Sequence, residues 1–387
     1  MDNPYARVFD HEGDIFAGNN FMTNYVSVGS NLGKTNFLVS FENNIQSGLL
    51  VETDGYKRNS FRLNVDHKIS PKLSVSASNL YVKSTTQDPG GADTYNGGLF
   101  FDCLLYEPDV DFFYPNPDGQ PYNFVASMWQ EEQENPIYQL WKIEDNTVRN
   151  RILGTYNAKY NLTTCLNFEA KYAFEYSTAE YTTYNPYDTY TRSGSDPVYS
   201  QGSLYIANTE LFSRNAQVTA NFQKKIGDFN TRAKVSYLFE KVTYNSNSTN
   251  GVDFSLRGVP SFDAISGPIS STSYKDAILA KNYFGILYVD YRDKYIFDGM
   301  IRYDGSSLFG SEARWNPYYR VSGAYRISED VSIPGIQEFK LRAAFGTAGQ
   351  RPGFSDQYEI VPMSNGQTLG KYQSGNSMLK PSLSKEL

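Results

Sequence analysis

Val148–Leu162 reads VRNRILGTYNAKYNL. Its even positions carry Val148, Ile152, Tyr156, Ala158, Tyr160 and Leu162, and its odd positions carry Arg149, Arg151, Thr155, Asn157 and Lys159. Successive side chains of a strand point to opposite faces, so this segment is a ribbon with one apolar and one wet face. Phe61–Ile69 repeats the pattern, with Phe61, Leu63, Val65, His67 and Ile69 set against Arg62, Asn64, Asp66 and Lys68.

The same alternation extends along the chain. It predicts about twelve strands, near 21–28, 35–42, 58–69, 72–83, 147–161, 166–178, 213–226, 229–244, 282–291, 295–304, 317–327 and 339–346. Segment 282–291 is apolar on both faces, and its parity is the weakest of the set. Connections near 29–34, 70–71, 162–165, 227–228 and 292–294 are short. Those near 84–146, 179–212 and 245–281 are long, with smaller members at 43–57 and 305–316. The two kinds take turns, except for a medium connection at 328–338 on the short side. In an up-and-down barrel alternate connections fall at the same end, so one end carries tight turns and the other large loops. That is the outer-membrane arrangement of short periplasmic turns and long extracellular loops. A soluble β-sandwich, with strands of about five or six residues, has no reason to sort loops by length.

The composition agrees. The mean hydropathy is -0.51, and no long apolar run provides a transmembrane helix. A barrel needs none, because only every second strand residue meets lipid. Tyrosine (32) and phenylalanine (25) dominate an aromatic content of 16%, and tyrosine suits both strands and membrane interfaces. A net charge of -7 argues against a nucleic-acid partner. Cys103 falls in a long loop and Cys165 in a turn at the opposite end, so no disulfide between them is expected. The start Met1-Asp2-Asn3-Pro4-Tyr5 has neither a basic nor an apolar leader stretch, so an exported protein would carry its leader outside this sequence.

Motifs for covalent chemistry are scarce. His11 and His67 are the only histidines, which disfavours a histidine metal site or catalytic triad. His67 lies on an apolar parity near a turn and reads as an interface-facing ring. The glycine-rich run Gly346–Gly353 ends a strand without opening a helix, so it is no phosphate cradle. Carboxylate pairs such as Asp109 with Asp111 occur, as in any long polar loop. By parity the inward face holds Arg62, Arg149, Arg151, Arg232, Asp298 and Arg302, among other charges. Such groups either pair across neighbouring strands or line a solute path.

Several segments resemble the SusC/RagA family of TonB-dependent outer-membrane transporters. Asn282–Gly310, NYFGILYVDYRDKYIFDGMIRYDGSSLFG, matches a family strand pair at Tyr291, Lys294-Tyr295, Arg302, Asp304-Gly305-Ser306-Ser307 and Phe309-Gly310. Trp315, Val321–Glu329 and Leu341–Gly346 look like the next strands. Val26–Gly29, Lys34–Phe37 and Gly48–Leu63 resemble the first ones, and Leu379-Lys380-Pro381 with Ser384-Lys385-Glu386 resembles a later segment. The anchors lie at both ends of the chain, with weak similarity between them.

The resemblance implies a single-chain barrel of about 22 strands filled by an N-terminal plug. It also implies a SusD-like surface lipoprotein above, the TonB complex below, and an oligosaccharide or peptide as cargo, with no cofactor, metal or catalysis. Plug and TonB box are not in this sequence, so residues 1–387 are expected to be an incomplete barrel domain from a longer protein. It would sit in the outer membrane of a Gram-negative bacterium, in contact with the lipid bilayer. Phe112, Tyr114, Trp129 and Trp141, in the longest loop, are the candidate contacts for ligand or lipoprotein. A siderophore or haem receptor is the alternative within the fold. A secreted β-rich carbohydrate-active enzyme or binding module is the alternative outside it.

Overall fold

The computed structural model describes residues 7–18, 20–87, 103–104, 106–124, 135–193, 196–332, 334–361, 363–364, 367–368 and 373–386. The chain winds up and down through one antiparallel sheet. Its strands are β1 (Phe21–Leu32), β2 (Thr35–Gln46), β3 (Tyr56–Lys68), β4 (Leu73–Gln87), β5 (Glu144–Asn161) and β6 (Leu166–Asn185). They continue with β9 (Ser203–Ile226), β10 (Phe229–Val252), β11 (Ile269–Tyr291), β12 (Tyr295–Ser306), β13 (Trp315–Arg326), β14 (Lys340–Gln350) and β17 (Ser382–Glu386). Each pairs with the next in that order to make a sheet of 13 strands. Between them lie two small hairpins, β7 (Tyr190–Ser193) with β8 (Asp196–Tyr199) and β15 (Met363–Ser364) with β16 (Gln367–Thr368). Two short helices, α1 (His11–Ile15) and α2 (Pro136–Lys142), sit at the loop end.

All twelve expected strands are present, and the structure extends the reading in two ways. Ser382–Glu386 adds a thirteenth strand to the sheet. The strands also run further at the loop end than the alternation indicated: β9, β10 and β11 are 24, 24 and 23 residues long. Much of 179–212 and 245–281 is therefore ladder. The extensions are polar on both faces, as in Asn245-Ser246-Asn247-Ser248-Thr249-Asn250 against Ser270–Lys275. Above the membrane both faces are wet, so alternation fades while backbone pairing continues.

At the other end the turns are tight. Ile226 pairs with Phe229 across Gly227-Asp228, and Gly227 holds a φ of 60°, the left-handed geometry glycine supplies in a two-residue hairpin. Arg292 in the next turn pairs with Asp228 at 2.6 Å.

The register resolves the ambiguous parity of β11. Tyr283 faces Tyr237 and Tyr303 on one side of the sheet, while Asn282 faces Leu238 and Asp304 on the other. The convex face is apolar and open: Val235 is 65% exposed, and Ile301 and Leu341 are each 64% exposed. Such a continuous apolar face fits hydrocarbon. Aromatic pairs mark two levels on it. Tyr295 stacks on Tyr325 at 5.0 Å near the turns, and Tyr303 stacks on Trp315 at 5.0 Å further up. Eight residues of β12 separate Tyr295 from Tyr303, which is roughly 26 Å along the strand. With a strand tilt of about 40° this spans roughly 20 Å of bilayer depth, close to the apolar band between aromatic girdles.

Val235→Arg on the convex face will cost about 2–4 kcal/mol when unfolding is followed from liposomes. Asn215→Arg, on the opposite face of the neighbouring strand, will cost under about 1 kcal/mol. Equal losses for the two would contradict the assignment of faces.

Candidate functional site

The sheet curls so that side chains from β1–β6, β9 and β10 border one cavity of about 880 Å³ on its concave side. Arg58, Arg62, Arg149 and Arg151 line it, with Glu42 and Glu175. Serine and threonine hydroxyls, the tyrosines Tyr25, Tyr56 and Tyr244, and the apolar side chains of Leu80, Val82, Ala179 and Leu211 complete the wall. Arg58 hydrogen-bonds Glu42 from the adjacent strand, and Arg151 Nε donates to Glu175 at 2.7 Å. Both pairs are diagonal neighbours across the ladder. Arg62 and Arg149 have no ion-pair partner among the described residues.

The six inward-facing charges read from parity all lie on this face. Arg62, Arg149 and Arg151 border the cavity. Arg232 lies over the Tyr288 ring at 5.4 Å, Asp298 pairs with Arg320 of β13, and Arg302 enters a larger network.

That network gives the Asp304-Gly305-Ser306-Ser307 segment a structural meaning. Asp304 is 5% exposed. It accepts from Arg351 at 3.0 Å and lies 3.5 Å from Arg302. Arg351 also reaches Glu240 at 3.2 Å, Asn282 donates to Glu240 at 2.7 Å, and Arg302 donates to Asn282 at 3.0 Å. One arginine beyond the end of β14 thus ties β10, β11 and β12 together on the lumen side. Gly305 lies under the Trp315 ring, where a Cβ would come within 2.6 Å of it. Ser306 Oγ accepts from the Leu308 amide at 3.2 Å, and Ser307 Oγ accepts from the Leu279 amide at 2.9 Å. The Gly346–Gly353 run is therefore a lead-in to Arg351. Nothing local in the sequence announces this role, because Glu240 lies 111 residues away.

The loop end carries its own core. Ile15, Cys103, Tyr106, Val110, Phe112, Ile137 and Leu140 form one buried cluster. The His11 ring stacks on Phe112 at 4.2 Å. Cys103 is buried in this cluster and Cys165 lies in the β5–β6 turn, and the two form no disulfide. Asn135 is fully buried. Its amide donates to Phe112 O at 2.8 Å and Asn123 O at 2.9 Å, and its oxygen caps α2 through Ile137 N. Beside the core, Asp118 accepts from Asn116, Gln120 and Tyr199, and Tyr199 stacks on Tyr190 at 4.2 Å. This stitches the long loop to the β7–β8 hairpin. Burial raises the Asp118 carboxyl, but the bonds from Tyr199, Asn116 and Gln120 outweigh it and hold the group well below the usual carboxylate range. Burial and the Glu52 carboxylate push the Tyr122 phenol up to about 12.

The aromatic candidates separate on this background. Phe112 is 0% exposed, so it packs the loop core, and the expectation of direct ligand contact for it is corrected. Tyr114 is 61% exposed. Trp141 is half-buried between Tyr122 and Tyr138 at 5.9 Å each, with Lys142 over its ring. Trp129 lies outside the described residues.

A continuous antiparallel sheet with an apolar convex face, a charged concave face, tight turns at one end and folded loops at the other defines the wall of an outer-membrane-type β-barrel. The family model described as TonB dependent receptor-like, beta-barrel matches residues 85–387, and the chain belongs to that family. Among curated proteins, TonB-dependent receptor P26 of Formosa agariphila is 25% identical over 356 residues, covering 86% of this chain and 33% of that protein. TonB-dependent receptor SusC of Bacteroides thetaiotaomicron is 22% identical over 394 residues, covering 92% of this chain and 36% of that protein. The chain thus spans about a third of the length of these relatives. In fold it is similar to the RagAB peptide transporter, with a TM-score of 0.82 and 16% identity over 98% of this chain and 43% of that one. The SusC/RagA resemblance read from the residues agrees with these similarities.

Arg351→Ala will lower the unfolding free energy by about 2–3 kcal/mol, because it leaves a buried carboxylate short of its donor. Arg351→Lys will recover less than half, since an ammonium cannot span several acceptors as a planar fork does. Urea midpoints for the three proteins check both statements.

Asp118 has a lowered folded-state pKa, so the stability it lends the loop contact is fully present above its ordinary value of 3.8. That stability is lost as pH falls through the lowered value. The protection factors of amides near Tyr199 will therefore be constant from neutral pH to about 5 and fall in stronger acid. Asp118→Asn will show faster exchange at neutral pH and no such acid step.

Proposed function

We propose that this chain is part of the barrel wall of a transporter in the outer membrane of a Gram-negative bacterium. The transporter imports a hydrophilic nutrient, an oligosaccharide or a peptide, by TonB-coupled uptake. The observation that carries this reading is the cavity on the concave face, bordered largely by hydroxyls, arginines and glutamates, set behind a wall whose other face is apolar. A solute that crosses hydrocarbon poorly needs a polar path of this kind. Among relatives of the same barrel type, SusC is named a TonB-dependent receptor and RagAB a peptide transporter.

A SusD-like surface lipoprotein is the proposed partner at the loop end. The loop core supports this, because a folded loop platform presents a fixed surface where a floppy loop would first have to be ordered. Tyr114 and Trp141 are the proposed contacts on that platform, with Trp129 of the same loop. Two-χ aromatic rings supply contact area at low entropic cost.

Deleting the encoding gene will abolish growth on the cognate oligosaccharide or peptide pool, and full-length protein supplied in trans will restore it. Tyr114→Ala with Trp141→Ala will weaken co-purification of the lipoprotein by about ten-fold, taking each aromatic as worth about 0.5–1.5 kcal/mol. Undiminished uptake in the deletion strain sinks the transport reading. Undiminished co-purification removes the two aromatics from the interface.

A further inference from the structure

The cavity has an imbalance that the overall charge of the chain does not foreshadow. The chain carries -7, yet four arginines and only two glutamates border the cavity, an excess of two positive charges. The glutamates are already engaged, Glu42 by Arg58 and Glu175 by Arg151. Arg62 and Arg149 have no ion-pair partner among the described residues.

Their places on the ladder show what surrounds these two among the described residues. Arg62 stands between Ser40 and Leu80, and Arg149 between Ser84 and Ala179. Glu42 stands diagonal to Arg62 as well as to Arg58, and Arg58 holds it, while no carboxylate stands opposite or diagonal to Arg149. Ser84 lies between Arg58 and Arg149 on one row of the sheet, so these guanidiniums start two strand spacings apart, about 10 Å. Arg62 lies four residues along β3 from Arg58 on the same face. Arg62 and Arg149 themselves stand two strands and four residues apart, roughly 16 Å by their backbones, so they would meet anionic groups several units apart along one oligomer, with serine hydroxyls between them.

We propose that Arg62 and Arg149 are two contacts of an anion-recognition site, and that the imported oligomer carries carboxylate groups. This rests on the uptake reading above and specifies the substrate class of the same cavity. Guanidinium groups match such anions with two parallel N–H donors, and a low-dielectric wall strengthens the attraction. The chemistry is shared by acidic oligosaccharides and acidic peptides, and the test separates the two.

The full-length protein in detergent is titrated with two matched pairs of probes. One pair is an oligogalacturonate and its fully methyl-esterified form; the other is an oligoglutamate and the corresponding oligoglutamine. The charged member of one pair binds at least about ten-fold tighter than its neutral partner, and raised salt erodes the difference. The pair that discriminates identifies the backbone. Arg62→Gln and Arg149→Gln each reduce the preference about ten-fold, the scale of one charge-assisted hydrogen bond. Arg292→Gln, which removes the same charge from a turn at the other end of the strands, leaves it unchanged. Heat-modified gel migration confirms that each variant is a folded barrel. Equal affinity for charged and neutral members of both pairs, absence of binding included, overturns the proposal. So does a preference untouched by Arg62→Gln and Arg149→Gln. Binding that follows the expected pattern in a protein whose deletion leaves uptake intact would instead refute transport and keep the anion site.

Discussion

The fold rests on one constraint: inside hydrocarbon no water is available to the backbone, so every N–H and C=O must find a partner within the protein. A continuous antiparallel ladder meets that demand, and the sheet runs without interruption from β1 to β17. Each interior strand has a partner on both sides, with β14 meeting β17 over Gly346–Gln350. Tight turns at one end keep neighbours in register, as Ile226 opposite Phe229 and Tyr291 opposite Tyr295 show. With the backbone fixed in this way, side chains have only two destinations, lipid or lumen. The two aromatic levels at Tyr295 and Tyr303 set the height of the lipid zone.

The lumen face uses charge differently in its two regions. Around Arg351 the groups are packed and saturated: Glu240, Asn282, Arg302 and Asp304 share donors and acceptors, and the result holds three strands in a fixed relation. A buried carboxylate such as Asp304 is tolerable only with that much compensation. In the cavity between β1 and β10 the same residue types are spread out. Arginines there reach one carboxylate at most, and two reach none among the described residues. The first arrangement stabilises the wall; the second leaves binding capacity unspent.

The loops follow the logic of a small soluble domain. Phe112, Ile137 and Tyr106 bury themselves away from the barrel, Asn135 satisfies three backbone groups at the centre, and Asp118 joins the long loop to the β7–β8 hairpin through Tyr199. A platform built in this way keeps Tyr114 at the surface while holding Phe112 beneath it, although the two residues are neighbours in the same turn-rich stretch.

The sequence by itself determined the strands, their faces and the sorting of turns from loops. Those depend on a period-two pattern and on glycine, proline and aspartate at turns, all of which are local. Val148–Leu162 declares its two faces within fifteen residues, and Asp304-Gly305-Ser306-Ser307 marks its strand pair by local sequence alone. It also placed Arg62, Arg149 and Arg151 on the inner face. Only the tertiary structure decided which of those charges were free, because pairing depends on which residues of adjacent strands stand opposite, and register is a relation between segments. The polar upper reaches of β9–β11 were invisible for a related reason: where both faces are wet, backbone pairing leaves no mark on composition. The same holds for Arg351, whose partners lie on three other strands, and for Phe112, whose burial was set by a loop core drawn from four separate stretches of chain. Local pattern fixes what a residue can do; the meeting of distant segments selects what it does.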